Sequence, residues 1–140
     1  MTDIHTQELA GRYIALWNEP DAGMRRKAIE EVWAADGTHV LQPPQEIREI
    51  AAGLGFDSTT LEAHGYDEIE VRVMRSYEKF VAPGEFLFRP RGDALRLHDV
   101  VKFTWEMVPV GGDGAVGGGL EVLVLGEGDR VIADYMFPGL

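Results

Sequence analysis

The periodicity of this chain changes once, at Pro83-Gly84. Before that point apolar residues recur three and four positions apart, the spacing of one helix face. After it they alternate, the spacing of a strand. Helices first and a run of strands last is an α+β layout. The opening helix is capped by Thr2-Asp3, carries Leu9, Tyr13, Leu16 and Trp17 on one face, and stops at Asn18-Glu19-Pro20. A second helix is expected over about Asp21 to Ala34. Met24, Ala28, Val32 and Ala35 form its dry stripe, widened by Ile29 and Trp33, with Arg25, Arg26, Glu30 and Glu31 on the wet side. Asp36-Gly37 reads as a turn. Thr38 to Leu41 is a short strand closed by Pro43-Pro44, and Gln45 to Ala52 a short helix ended by Gly53 and Gly55. Residues 55–63 carry no strong signal. A third long helix opens at Gly65-Tyr66-Asp67 and aligns Ile69, Val73, Tyr77 and Phe80.

Four β runs follow, over 85–90, 94–109, 117–125 and 130–137, in an antiparallel meander. The glycines of 111–119 lie between strands with no helix N-terminus behind them, so they read as a hairpin turn and not a phosphate loop. Both faces of these strands are apolar. Residues 97 to 107 set Leu97, Asp99, Val101, Phe103, Trp105 and Met107 on one side, and His98, Val100, Lys102, Thr104, Glu106 and Val108 fall on the other. A sheet that is greasy on both sides needs two covers. The helices supply one, and a second subunit is the expected other, which predicts a homodimer through the outer sheet face.

Charge and composition narrow the function classes. One domain over residues 1–140 is expected, with 45% hydrophobic residues to fill a single core. The net charge of −11, from 24 acids and 13 bases, argues against nucleic acid and anionic membrane surfaces as partners. Without cysteine there is no disulfide, thiolate or zinc–sulfur chemistry. No signal peptide or membrane span is read, and a soluble cytoplasmic protein is expected. The histidines show no metal-ligand spacing, so neither a metal nor another cofactor is expected.

Two residues break the strand pattern. The hairpin Gly117 to Phe137 carries Glu121 in one apolar run and Asp134 in the other. If Gly126 to Asp129 form a four-residue loop, Glu121 lies opposite Asp134, with Cβ atoms about 4.5–5.5 Å apart. On a buried face one of the two would keep its proton at neutral pH. A loop one residue longer sets Glu121 opposite Tyr135 and separates the pair. A solvated rim, where strand acids usually sit, is the plain alternative.

The segments RYIALWN (12–18), VWAADGTHV (32–40), GYDEI (65–69), FTWEMV (103–108), GLEVLVL (119–125) and RVIADYMF (130–137), in that order, resemble the nuclear transport factor 2-like superfamily, and within it the SnoaL-like group named for a polyketide cyclase. The resemblance implies a cone: a curved antiparallel sheet wrapped around three to four N-terminal helices, with a pocket between them for an apolar small molecule. It places Tyr13 where the ketosteroid isomerase branch has its oxyanion-hole tyrosine and Glu121 where that branch has a protonated Asp. Leu41 stands at the position of that branch's general base. Asp134 is similar to the last-strand acid of limonene epoxide hydrolases, whose neighbouring strand here offers Lys102 and Thr104. His39 and His98 match the role of the histidine that assists SnoaL-type cyclases. The expected catalytic set is therefore Tyr13, Glu121, Asp134 and His39. Trp17, Leu41, His98, Lys102, Thr104 and Met136 are expected to contact the ligand. Trp33 and Trp105 are read as core. Two functions stay open: a cofactor-independent isomerase, cyclase or hydrolase, and a non-catalytic holder or dimeric scaffold.

Overall fold

The computed structural model describes residues 4–55 and 60–139. Helix α1 (Ile4–Asn18) buries Leu9, Tyr13, Leu16 and Trp17 as their spacing requires, along with Ala10 and Ile14. The Thr2-Asp3 cap lies outside the described residues. Helix α2 (Ala22–Val32) is capped by Asp21, whose carboxylate accepts from the Met24 amide at 2.8 Å. It buries Ile29 and Val32 of the expected stripe, but Arg25, expected on the wet side, is buried in place of Met24, which is exposed. Arg25 is buried because its guanidinium donates to the Glu19 carbonyl at the end of α1 and stacks on the Tyr77 ring.

Strand β1 (Trp33–Leu41) begins at Trp33, earlier than expected. Asp36-Gly37 is no turn: it lies in a bulge of β1, where pairing jumps from Trp33 to Thr38. A side chain at Gly37 would meet the Val131 carbonyl at 2.8 Å, so the bulge needs glycine there. Helix α3 (Gln45–Gly53) is followed by β2 (Leu61–His64), in the stretch that had no clear sequence signal. Helix α4 (Gly65–Ser76) continues through a π-helical turn, Tyr77–Val81.

The remaining strands are β3 (Phe86–Pro90), β4 (Leu95–Leu97), β5 (Val100–Pro109), β6 (Gly117–Leu125) and β7 (Val131–Pro138). The expected run 94–109 is two strands, because His98-Asp99 makes a tight hairpin with His98 at φ 53°. Seven strands among the described residues form one sheet in the order β2-β1-β7-β6-β5-β3, with β4 also on β5. All neighbours are antiparallel except β1 and β7, which run parallel. The architecture is thus the expected α+β cone, with a mixed sheet. Helices α1, α2 and α4 pack against it around one core that includes Tyr13, Trp17, Trp33 and Phe103, while α3 buries no residue. Among the described residues no helix is long and apolar enough to cross a membrane.

Candidate functional site

The site begins with a register. Leu125 pairs with Val131, one residue beyond the expected loop, and a bulge at Ile132 adds a second extra residue. Two single-residue shifts cancel in parity. Glu121 therefore pairs with Met136 and Leu123 with Asp134, and the two acids remain on the same face as diagonal neighbours. Both are fully buried. The solvated rim is excluded, and so is direct opposition.

Tyr13 links the acids. Asn18, five residues further along at the end of α1, pins the helix to β3 by exchanging two hydrogen bonds with the Phe88 backbone, at 2.7 and 2.9 Å. Trp33 and Phe103 flank the Tyr13 ring at 5.4 and 5.5 Å between centroids. Held this way, the Tyr13 hydroxyl lies 3.0 Å from Glu121 Oε2 and 2.5 Å from Asp134 Oδ2. Trp105 Nε1 donates to Glu121 Oε1 at 3.0 Å. This last bond depends on Gly119, which pairs with Trp105 across β5 and β6: a Cβ there would lie 2.4 Å from the indole.

Hydrogen-bond counting orders the protons. A tyrosine hydroxyl has one hydrogen, so it donates to one carboxyl and accepts from the other. Burial, and then the neighbouring Asp134, push the Glu121 carboxyl well above the ordinary range, outweighing the hydrogen bonds that Tyr13 and Trp105 would donate to an ionised Glu121. Glu121 thus keeps the proton and donates from Oε2 to Tyr13, and Tyr13 donates to Asp134. Burial and the two acids also raise Tyr13, which stays a neutral phenol.

His39, on β1, completes the cluster. Its Nε2 is 3.7 Å from Asp134 Oδ2, and the residue is almost wholly buried. Arg72 NH1 lies 2.9 Å from His39 Nδ1. A guanidinium only donates, so Nδ1 accepts and the ring proton is on Nε2. Burial first, and Arg72 in addition, hold His39 below its ordinary value against the pull of Asp134, so it is neutral. Two polar atoms of this cluster, His39 Nε2 and Asp134 Oδ1, are buried with no hydrogen-bond partner among the described residues.

His39, Glu121 and Asp134 offer one nitrogen and two oxygens within 4.8 Å of one another, a set that could hold a divalent cation. The donors do not suit one. A metal-bound histidine donates from its other ring nitrogen, whereas here that nitrogen receives a bond from Arg72 and the proton occupies the ligating position.

Beside the cluster is a cavity of about 490 Å³ between the sheet and helices α1 and α4. Tyr13, Trp17, His39, Leu41, Trp105 and Met136 line it on the cluster side. Arg72, Ser76, Lys79 and Phe80 line it from α4 and its π-helical extension. Neither Glu121 nor Asp134 is in the lining. The acids lie one layer behind the wall, in contact with it through Tyr13, Trp105 and His39.

No protein-family model matches the sequence, and no curated protein matches it. Solved structures do match its shape. A SnoaL-like family protein from Agrobacterium tumefaciens superposes with a TM-score of 0.77 over 99% of this chain and 100% of that one, at 23% identity. This chain has the SnoaL-like fold. A SnoaL-like protein of unknown function from Burkholderia thailandensis gives 0.66 at 16% identity, over 100% of this chain and 99% of that one. Bal32a, from a soil-derived mobile gene cassette, gives 0.63 at 16% identity, over 95% and 88%.

Within the SnoaL-like fold the expected residues divide into two groups. Tyr13, Glu121, Asp134 and His39 come together, and Trp17, Leu41 and Met136 line the adjacent cavity. His98, Lys102 and Thr104 do not line it. His98 is at the tip of the β4–β5 hairpin, Lys102 alternates onto the exposed outer face, and Thr104 hydrogen-bonds Asp93. The split of the 94–109 run removed His98 from any strand face. Two contacts escaped the sequence reading. Trp105 is in the core as expected, and its indole also bonds Glu121; the glycine pair Gly118-Gly119 inside a strand is the signal for that contact. Arg72 had no signal at all.

Proposed function

We propose that this SnoaL-like chain is a cofactor-independent acid–base enzyme of the isomerase, cyclase or hydrolase kind, acting on a largely apolar, enolisable small molecule in the cavity. Tyr13 and His39 are the wall groups through which the carboxyl pair exchanges protons with the ligand, and Glu121 and Asp134 are the store behind them. The observation that carries this reading is the pair of orphaned buried atoms, His39 Nε2 and Asp134 Oδ1. A polar cluster kept only for structure satisfies its atoms, because each unpaired one costs about 1–3 kcal/mol. A donor and an acceptor left open beside a cavity suit a reaction that moves a proton. The Agrobacterium neighbour, described as a candidate isomerase, is compatible with this class.

A second reading has its own observation. Neither acid lines the cavity, and Leu41 stands in the lining where the resemblance places a base. On that reading the protein holds an apolar ligand without turnover. Incubating a panel of cyclic ketones and lactones with the protein in deuterated water, and following exchange of their acidic C–H by proton NMR, separates the two. The enzyme reading expects exchange that falls by about 100-fold or more in Asp134→Asn and Tyr13→Phe. Ketones that bind but exchange at the buffer rate would leave only the holder.

A further inference from the structure

The charged residues that line the cavity are all basic. Among the described residues Arg72 and Lys79 are there, with no Asp or Glu, in a chain of 24 acids and 13 bases. They are not placed at random. Arg72, Ser76 and Lys79 follow one another at i, i+4 and i+7, which sets them in a row along one face of α4 and its π-helical extension. Arg72 and Lys79 are thus about 10 Å apart along the helix. The wide turn also brings consecutive Lys79 and Phe80 to the lining together.

Asp134 and Glu68 act on the Arg72 charge only from beyond ion-pair distance. Among the described residues Arg72 and Lys79 form no ion pair, whereas Arg26, Arg89, Arg91 and Arg96 each have an acid partner. Arg72 uses one nitrogen, NH1, for His39 Nδ1, the His39 carbonyl and the Leu61 carbonyl. Its NH2 and Nε have no acceptor among the described residues, and the Ser76 hydroxyl follows one turn later. A half-buried guanidinium with an open edge beside a hydroxyl is a carboxylate-binding arrangement. Apart from Tyr13 and His39, the rest of the wall, including Trp17, Phe80, Phe88 and Met136, is largely apolar.

The geometry points to an organic acid as the ligand: an apolar body against Trp17, Phe88 and Met136, and a carboxylate on Arg72 and Ser76 with Lys79 at the rim. This rests on the cavity being a ligand site, as proposed above, and adds which molecules it selects. It also couples the ligand to the cluster, because the residue that receives the carboxylate is the one that fixes the His39 tautomer.

Isothermal titration of the whole protein with octanoate and phenylbutyrate, each against its uncharged primary amide, tests the assignment. Tryptophan fluorescence reports cavity occupancy through Trp17. The acids are expected to bind about tenfold or more tighter than the amides at low salt, with the difference shrinking at high salt. Lys79→Gln, at an exposed position, and Arg72→Gln should each cut the preference to about two- or threefold and leave amide affinity nearly unchanged. Amides that bind as well as the acids would overturn the organic-acid assignment while the cavity stays a ligand site. If neither series binds, the ligand-site reading fails and this inference with it.

Discussion

Replacing Glu121 by Gln should stabilise this protein, and the gain should grow with pH. The proton order derived above makes Glu121 a neutral acid that donates from one oxygen to Tyr13 and accepts at the other from Trp105. Gln has the same shape and the same two roles: its amide donates and its carbonyl accepts. A Glu that must keep its proton costs stability at every pH above its ordinary value of 4.5, at about 1.4 kcal/mol per unit. The sign follows from the raised folded value. The stabilising share is complete below the unfolded value and is lost as pH rises towards the folded one. The cost accumulates at that rate until the pH reaches the raised folded value. A less favourable fit of the amide takes back up to about 1 kcal/mol. Glu121→Gln should therefore match or trail wild type near pH 4 and then gain on it by about 1.4 kcal/mol for each pH unit climbed towards the folded value. Urea unfolding followed by tryptophan fluorescence at several pH values gives the difference directly, since all other titrating groups are shared. A difference that does not change with pH, or that moves in favour of wild type as pH rises, would mean that Glu121 is ionised in the folded state, and the proton order would be wrong.

Other expectations concern separate parts of the structure. Gly119→Ala should displace the Trp105 indole and cost about 1–3 kcal/mol, with a shifted tryptophan emission and loss of the bond to Glu121. Arg72→Leu should free His39 Nδ1 and raise the pKa of the imidazole; nitrogen-15 NMR should show the proton confined to Nε2 in wild type and shared between nitrogens in the variant. The outer sheet face exposes Val100, Ile132, Tyr135 and Phe137, each by 40% or more, and a homodimer through it remains our expectation. Tyr135→Lys with Phe137→Glu should then sediment as a monomer, and a wild type that already sediments as a monomer removes this idea.

Residue chemistry was easier to read from the sequence than residue placement. Tyr13 and Trp17 follow from helical spacing, and Glu121 and Asp134 stand out because strands seldom carry acids in apolar runs. Spacing places the two aromatics on a helix face, and only the family resemblance brings Tyr13 to the acids. The contacts among these residues were not legible, because they depend on irregularities with no distinct sequence signature. Leu-Arg-Leu-His-Asp-Val-Val, 95 to 101, alternates without Gly, Pro or Asn, so the His98-Asp99 turn looks like continuous strand and His98 and Lys102 seem to share a site. Asp36-Gly37 has turn composition but occupies a bulge, which hid the first half of β1. Arg72 is on a helix face that composition marks as wet, and only the fold shows that the His39 ring lies beneath it.

The bulge at Ile132 has a meaning for how this chain can change in length. Side chains alternate along β7, so an odd change anywhere between Leu125 and Asp134 turns the acid outward and brings a neighbour such as Ala133 or Tyr135 inward. The loop and the bulge each carry one residue beyond the tight hairpin, and only their sum keeps Asp134 under Tyr13. A single deletion in 126–132 would invert the strand's inner and outer faces without removing any residue of the site, while a deletion of two would restore them. Length in this hairpin is therefore constrained by parity, and a chain that loses the bulge must also shorten its loop.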